Sequence, residues 1–99
     1  MARLSTHILD TAKGRPATGI EVRLYDAARA LAATVVTDTD GRALVHENLA
    51  PGVYDLVFVV HASDFLDEIV VRFSIAAGQA KYHVPLLVSP HGYTTYRGS

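Results

Sequence analysis

The sequence predicts an all-β fold, a two-sheet antiparallel β-sandwich of about eight short strands with at most one short helical turn. Three observations carry that expectation. Short runs rich in Val, Ile, Leu, Thr and Tyr succeed one another along the chain, the composition of a pleated, half-buried surface. Clusters of Gly, Pro, Asp and Asn punctuate them at close intervals. Only "HASDFLDE", residues 61–68, reads as helical, and for a turn or two at most.

In order, "LSTHILD" (4–10) is the first strand and ends in "TAKGRPATG", a Gly/Pro loop. "IEVRLYD" (20–26) alternates cleanly: Ile20, Val22 and Leu24 face one way and Glu21, Arg23 and Tyr25 the other, as in a half-buried strand. "LAATVVTD" (31–38) precedes "TDTDGRA", whose Asp40-Gly41 pair suits the positive φ of a tight turn, and "RALVHE" is the return strand. "NLAPG" turns again at Pro51-Gly52, and "VYDLVFVV" (53–60) is apolar enough to be central. In 61–68, Ser63 is the expected helix cap, with Asp64, Asp67 and Glu68 suited to a helical N-terminal region. "IVVRFSIA" (69–76), "KYHVPLLV" (81–88) and "GYTTYR" (92–97) complete the strands. Within "YHVPLLV", Tyr82, Val84, Leu86 and Val88 share one face, while the other carries Pro85 and Leu87 beside His83. An outer face meeting water should be more polar, so a second layer, another subunit, is expected over that strand.

With 99 residues, 49% of them apolar and 19% charged, the chain is expected to fold as one domain, 1–99, around a single core. Nine basic and ten acidic residues give a net charge of −1 without a basic run, which argues against nucleic acid and membrane surfaces as partners. The absence of cysteine excludes disulfides, thiolate catalysis and Cys-based zinc sites. The longest apolar run, "LVFVV" at 56–60, is far short of the roughly 20 residues of a spanning helix. "MARLSTHILD" lacks a signal peptide's apolar stretch, so a cytoplasmic location is expected.

Candidate chemistry is sparse. There is no Gly-x-Ser-x-Gly elbow to suggest a serine hydrolase. The five histidines, His7, His46, His61, His83 and His91, show neither His-x-His nor His-x-x-x-His spacing, so no metal is expected. "DTDG" (38–41) lacks the further oxygen ligands of a calcium loop and reads as a hairpin turn. His46 and His61 read as strand-end or surface residues. His7 and His83 are different, because each sits mid-strand among apolar neighbours, where an ionisable group needs a reason. Arg42 directly follows the turn, and the chain closes on "PHGYTTYRGS", strand-like up to a fixed charge.

"LSTHILDTAKGRPATGIEVRLY" and "YHVPLLVSPHGYTTYRGS" closely resemble the two signature regions of the 5-hydroxyisourate hydrolase family, transthyretin-like enzymes of urate degradation. "TDTDGR" and "LAPGVYDLVF" fit the same pattern, so the resemblance covers essentially the whole chain, and Tyr96-Arg97-Gly98-Ser99 is its most specific part. It implies a transthyretin-like (prealbumin-like) sandwich assembled as a homotetramer, with sites at the dimer–dimer interface and no cofactor. It implies His7, Arg42 and His83 as catalytic residues and Tyr96, Arg97, Gly98 and Ser99 as a substrate-binding tail. Two departures stand out: His91 replaces a usual Phe, and the segment between "LVFVV" and "IVVRF" is shorter than usual.

The reaction so implied opens the ring of 5-hydroxyisourate, a small oxidised purine, to 2-oxo-4-hydroxy-4-carboxy-5-ureidoimidazoline on the route to allantoin. His83 or His7 is the expected base for water, and Arg42 the expected partner of the oxyanion or of a substrate carbonyl. The sequence also resembles small β-sandwich modules of carboxypeptidases and bacterial surface proteins. A non-catalytic transthyretin-like ligand-binding protein or an interaction module is therefore the alternative reading.

Overall fold

β-Branched and aromatic runs alternating with Gly, Pro and Asp become strands and tight turns. The computed structural model describes residues 1–61 and 64–98, which form nine strands and, among them, no helix. The strands are β1 (Ala2–Asp10), β2 (Arg15–Pro16), β3 (Glu21–Tyr25), β4 (Leu31–Val36), β5 (Arg42–Leu49), β6 (Gly52–Val59), β7 (Glu68–Ile75), β8 (Lys81–Val88) and β9 (Tyr93–Thr95). The strand beyond the expected eight is β2, where the Gly/Pro loop folds back to pair Pro16 with Leu9 and Arg15 with Asp10. The helical turn expected over 61–68 does not form among the described residues, and its expected cap, Ser63, lies outside them. Instead His61 adopts φ 44°, its N–H donates to the Asp67 carbonyl and its ring meets the Asp67 carboxylate at 2.5 Å. A loop pinned at both ends in this way connects β6 to β7.

Two sheets pack face to face. In one, β1 is central: β8 runs parallel to it along eight residue pairs, and β5 and β2 share its other edge. β9 extends this sheet beyond β8. The second sheet, β4-β3-β6-β7, is antiparallel throughout, with β6 in its interior as its apolar run predicts. Inward-facing side chains fill the space between the sheets: Leu4 and Ile8, Val22 and Leu24, Leu56 and Phe58, Ile69, and the Tyr82, Val84, Leu86, Val88 face of β8. Burying a side chain of this size contributes about 1.5–3 kcal/mol, so the core rather than the short turns carries the fold.

Buried polar groups act as cross-links. The Thr6 hydroxyl donates to the Val84 carbonyl at 2.6 Å, tying β1 to β8. The Thr37 hydroxyl donates to the Ala17 carbonyl and accepts from the Ile20 N–H, closing the loop after β2 onto the end of β4. Among the described residues no buried side-chain polar atom lacks a partner, as buried groups require.

Candidate active site

In a pleated strand alternate side chains face opposite ways. On β1 and β8 the inward set is buried, and the outward set pairs Arg3 with Lys81, Ser5 with His83 and His7 with Pro85. On the other side of β1, β5 brings Arg42 opposite His7. One strand thus gathers His7, Arg42 and His83 onto one outer face, although they are far apart in sequence. A cleft of about 480 Å³ opens there, its lining including Arg3, Ser5, Arg42, Lys81, His83 and Gly98. His7 does not line the cleft itself. It stands half-buried on the same face, one pleat repeat along β1 from Ser5, where its charge still reaches His83.

The expected hairpin turn delivers Arg42. One Asp38 carboxylate oxygen accepts the N–H groups of Asp40 and Arg42 at 2.9 and 3.0 Å, and the Gly41 N–H donates to the Asp38 carbonyl. Gly41 is obligatory for two reasons. Its φ of 73° lies in the left-handed region, and a Cβ would meet the Ile8 carbonyl oxygen at 2.5 Å. Its own carbonyl accepts the Ile8 N–H at 2.8 Å, which anchors the turn to β1. The backbone of Arg42 is therefore fixed beside His7, while its guanidinium has no ion-pair partner among the described residues.

His83 is half-buried. Its Nδ1 lies 2.9 Å from the Ser5 hydroxyl, and its carbonyl accepts the Gly98 N–H at 2.7 Å. Burial pushes its pKa below the ordinary value of 6.5, and the neighbouring His7 and Arg42 push in the same direction. A backbone hydrogen bond with Ser5 partly opposes them. The ring is thus held neutral at neutral pH, the state in which a histidine can accept a proton.

The tail divides. The strand expected over 92–97 extends only through Tyr93–Thr95 as β9. Beyond it the Arg97 guanidinium turns over the Tyr82 ring, 4.3 Å from its centroid, and also reaches Gln79 and the Lys81 carbonyl. Tyr96 and Arg97 border a small apolar pocket with Phe73, Tyr82 and Val84 rather than the cleft. Gly98 does enter the cleft, against His83, and Ser99 lies outside the described residues. His91, in place of the usual Phe, has the Phe65 ring 6.3 Å from its own. His46 bonds the Asn48 N–H, and no group of three or more His, Asp or Glu side chains suited to a metal occurs among the described residues. Reading from sequence missed Ser5. Its two-residue spacing from His7, on the same face of a strand, was the available signal.

Residues 4–98 match the family model described as "HIUase/Transthyretin family". The chain belongs to that family. It is 45% identical to the 5-hydroxyisourate hydrolase of Pseudomonas aeruginosa, over an alignment 119 positions long that takes in all of this chain and 93% of the relative. Its fold is similar to the solved 5-hydroxyisourate hydrolase of Klebsiella pneumoniae, with a TM-score of 0.90, 34% identity and full coverage of both chains. It is also similar to sea bream transthyretin in complex with thyroxine, with a TM-score of 0.84 and 31% identity over 96% of this chain and 93% of that one. The HIUase/transthyretin fold therefore includes a hydrolase and a thyroxine-binding protein, and function has to be argued from the site.

Proposed function

We propose that this protein hydrolyses 5-hydroxyisourate, opening its ring to 2-oxo-4-hydroxy-4-carboxy-5-ureidoimidazoline in the degradation of urate to allantoin. One observation carries the reading. A neutral, half-buried histidine and an arginine with no ion-pair partner among the described residues share one cleft face, the combination a hydrolytic site needs and a site binding only by apolar contact does not. The carboxyl and ureido groups of the product identify the broken bond as acyl carbon to nitrogen. His83 accepts a proton from water as the oxygen attacks the acyl carbon. Arg42 holds the oxyanion of the tetrahedral intermediate with donors that are always charged. The carbon–nitrogen bond then breaks, and the proton on His83 passes to the leaving nitrogen. His7, beside Arg42 in the strand register, orients substrate or shares the proton transfer; of the tail, Gly98 lines the cleft against His83, and the family resemblance assigns Tyr96, Arg97 and Ser99 to the substrate site with it. No step needs a cofactor.

The working form in this reading is a cytoplasmic homotetramer with sites between dimers. Supporting assembly, the edge strands β7 and β9 leave Val70 53% and Tyr93 47% exposed, beside a Tyr96 that is 56% exposed. A cysteine-free chain needs no oxidising compartment to fold. The deciding experiment follows the decay of freshly made 5-hydroxyisourate by absorbance, with and without the protein, alongside its mass by light scattering. Acceleration by the full chain, lost when Tyr96 to Ser99 are deleted from a protein that remains folded, is the expected result. Binding of an apolar ligand without acceleration would select the binding protein instead, and an active truncation would remove the tail from the site.

A further inference from the structure

We propose that Ser5 is a positioning residue for His83: its hydroxyl at Nδ1, together with the Gly98 backbone against Cδ2, holds the imidazole with the proton on Nδ1 and the Nε2 lone pair presented to the cleft. The inference rests on the reading of His83 as the base for water.

The geometry follows from register. Parallel pairing sets Ser5 directly beside His83 on the outer face of the sheet, and the Ser5 hydroxyl lies 2.9 Å from Nδ1. The Gly98 backbone approaches the other side of the same ring. A Cβ at that position would meet Cδ2 at 2.7 Å and Cγ at 3.4 Å, while the Gly98 N–H secures the approach by donating to the His83 carbonyl at 2.7 Å. Nδ1 and Cδ2 flank Cγ, so with both engaged the ring can neither swing nor flip without losing a contact. What remains for the cleft is the far end of the ring, which carries Nε2.

The role of His83 as the base selects the tautomer. The far end of the ring faces the cleft, so a base acting there must leave Nε2 bare and carry its proton on Nδ1. In that tautomer the Ser5 hydroxyl oxygen accepts from Nδ1 across the 2.9 Å contact. The charged and titratable groups around His83 are Arg3 and His7 on β1, Arg42 and Asp38 from β5 and its preceding turn, Lys81 on its own strand, and Arg97 in the tail. Asp38 spends its carboxylate on turn N–H groups. The place that a carboxylate takes in many hydrolases, holding the tautomer of the base, falls here to a neutral serine.

The test compares Ser5→Thr with Ser5→Val, which have nearly the same shape and differ in the hydroxyl, in proteins labelled with 15N at histidine. Ring-nitrogen shifts of the native protein at neutral pH, without substrate, should show Nδ1 protonated and Nε2 bare for His83. Ser5→Val should shift them toward a mixture and lower kcat about 10- to 100-fold with KM little changed, and Ser5→Thr should restore both. Gly98→Ala, which crowds Cδ2, should reduce kcat with the Nδ1 bond intact. A native His83 protonated on Nε2, or identical shifts and rates in the Thr and Val variants, overturns the proposal. So does a Ser5→Val loss as deep as that of His83→Ala, which would place Ser5 on the reacting atoms. Because the shifts need no substrate, a tautomer that responds to Ser5 in a protein inert toward 5-hydroxyisourate would refute the functional reading and leave the positioning role standing.

Discussion

The two sheets carry charge on their outer faces in opposite ways. On β3, β6 and β7 the charges are matched: Arg23 pairs with Glu21 and lies 3.9 Å from Glu68, and Arg72 grips Asp55 with two hydrogen bonds of 2.8 and 3.1 Å. On β1, β5 and β8 they are not: Arg3, Lys81, Arg42, His7 and His83 share a face without an ion pair among the described residues. Matched charges satisfy each other, and the Arg72–Asp55 pair also ties β7 to β6. Unmatched cations and a neutral imidazole are left for something outside the chain, here an electron-rich, carbonyl-bearing substrate. In the proposed reading, the difference separates groups that hold the sandwich together from groups assigned to its chemistry.

Substitution on the unmatched face provides the largest expected effect. Arg42→Ala and His83→Ala should each lower turnover of 5-hydroxyisourate at least about a hundredfold, and His7→Ala should do the same. Thermal unfolding should change little, because none of the three lies in the core. Turnover within a few-fold of the native protein in any variant would take that residue out of the site, and a large fall in Tm would give the unmatched face a structural role.

Much of this comparison is legible in the sequence, because strand faces are written locally. The alternation of residues 20–26 predicts Val22 and Leu24 inside with Arg23 outside, and both inner residues are fully buried. The apolar face of β8 is equally readable, as are the mid-strand positions of His7 and His83. What joins them is not local. The parallel β1–β8 pairing spans 78 residues, and a serine looks the same whether it faces water or an imidazole, so Ser5 passes unnoticed. The 61–68 segment misleads for a related reason. Its acidic residues suit a helix start, but His61 and Asp67 close it as a loop before a helical turn can form among the described residues. The final strand is read too long because Arg97 finds a better partner in the Tyr82 ring than in the sheet.

A smaller effect sharpens the comparison within the cleft. Burial, His7 and Arg42 hold the His83 pKa below its ordinary value, and in the proposed mechanism the neutral ring is the active form. The logarithm of kcat/KM should therefore be flat near pH 7 and fall on the acid side with a midpoint below 6.5. Arg42→Gln removes a positive neighbour, so the His83 ring, followed by NMR, should titrate at higher pH than in the native protein. An unchanged midpoint would mean that the two side chains do not share the cleft electrostatically.

The matched face should respond in the opposite currency, stability without activity. Arg72 holds the Asp55 carboxyl below the usual carboxylate range through its hydrogen bonds, against the effect of burial, with Arg29 adding to the depression. A carboxylate whose folded pKa is depressed stabilises the fold at every pH above its unfolded value and loses that contribution as pH falls through the folded one. Asp55→Asn should therefore lower Tm by roughly 5 °C at pH 7, and the gap to the native protein should close as acid protonates the native carboxyl. Turnover should not change, because Asp55 and Arg72 lie on the sheet that lacks the cleft. A loss of turnover in Asp55→Asn without a change in Tm would break the division between the faces, since a matched pair would then be serving the chemistry.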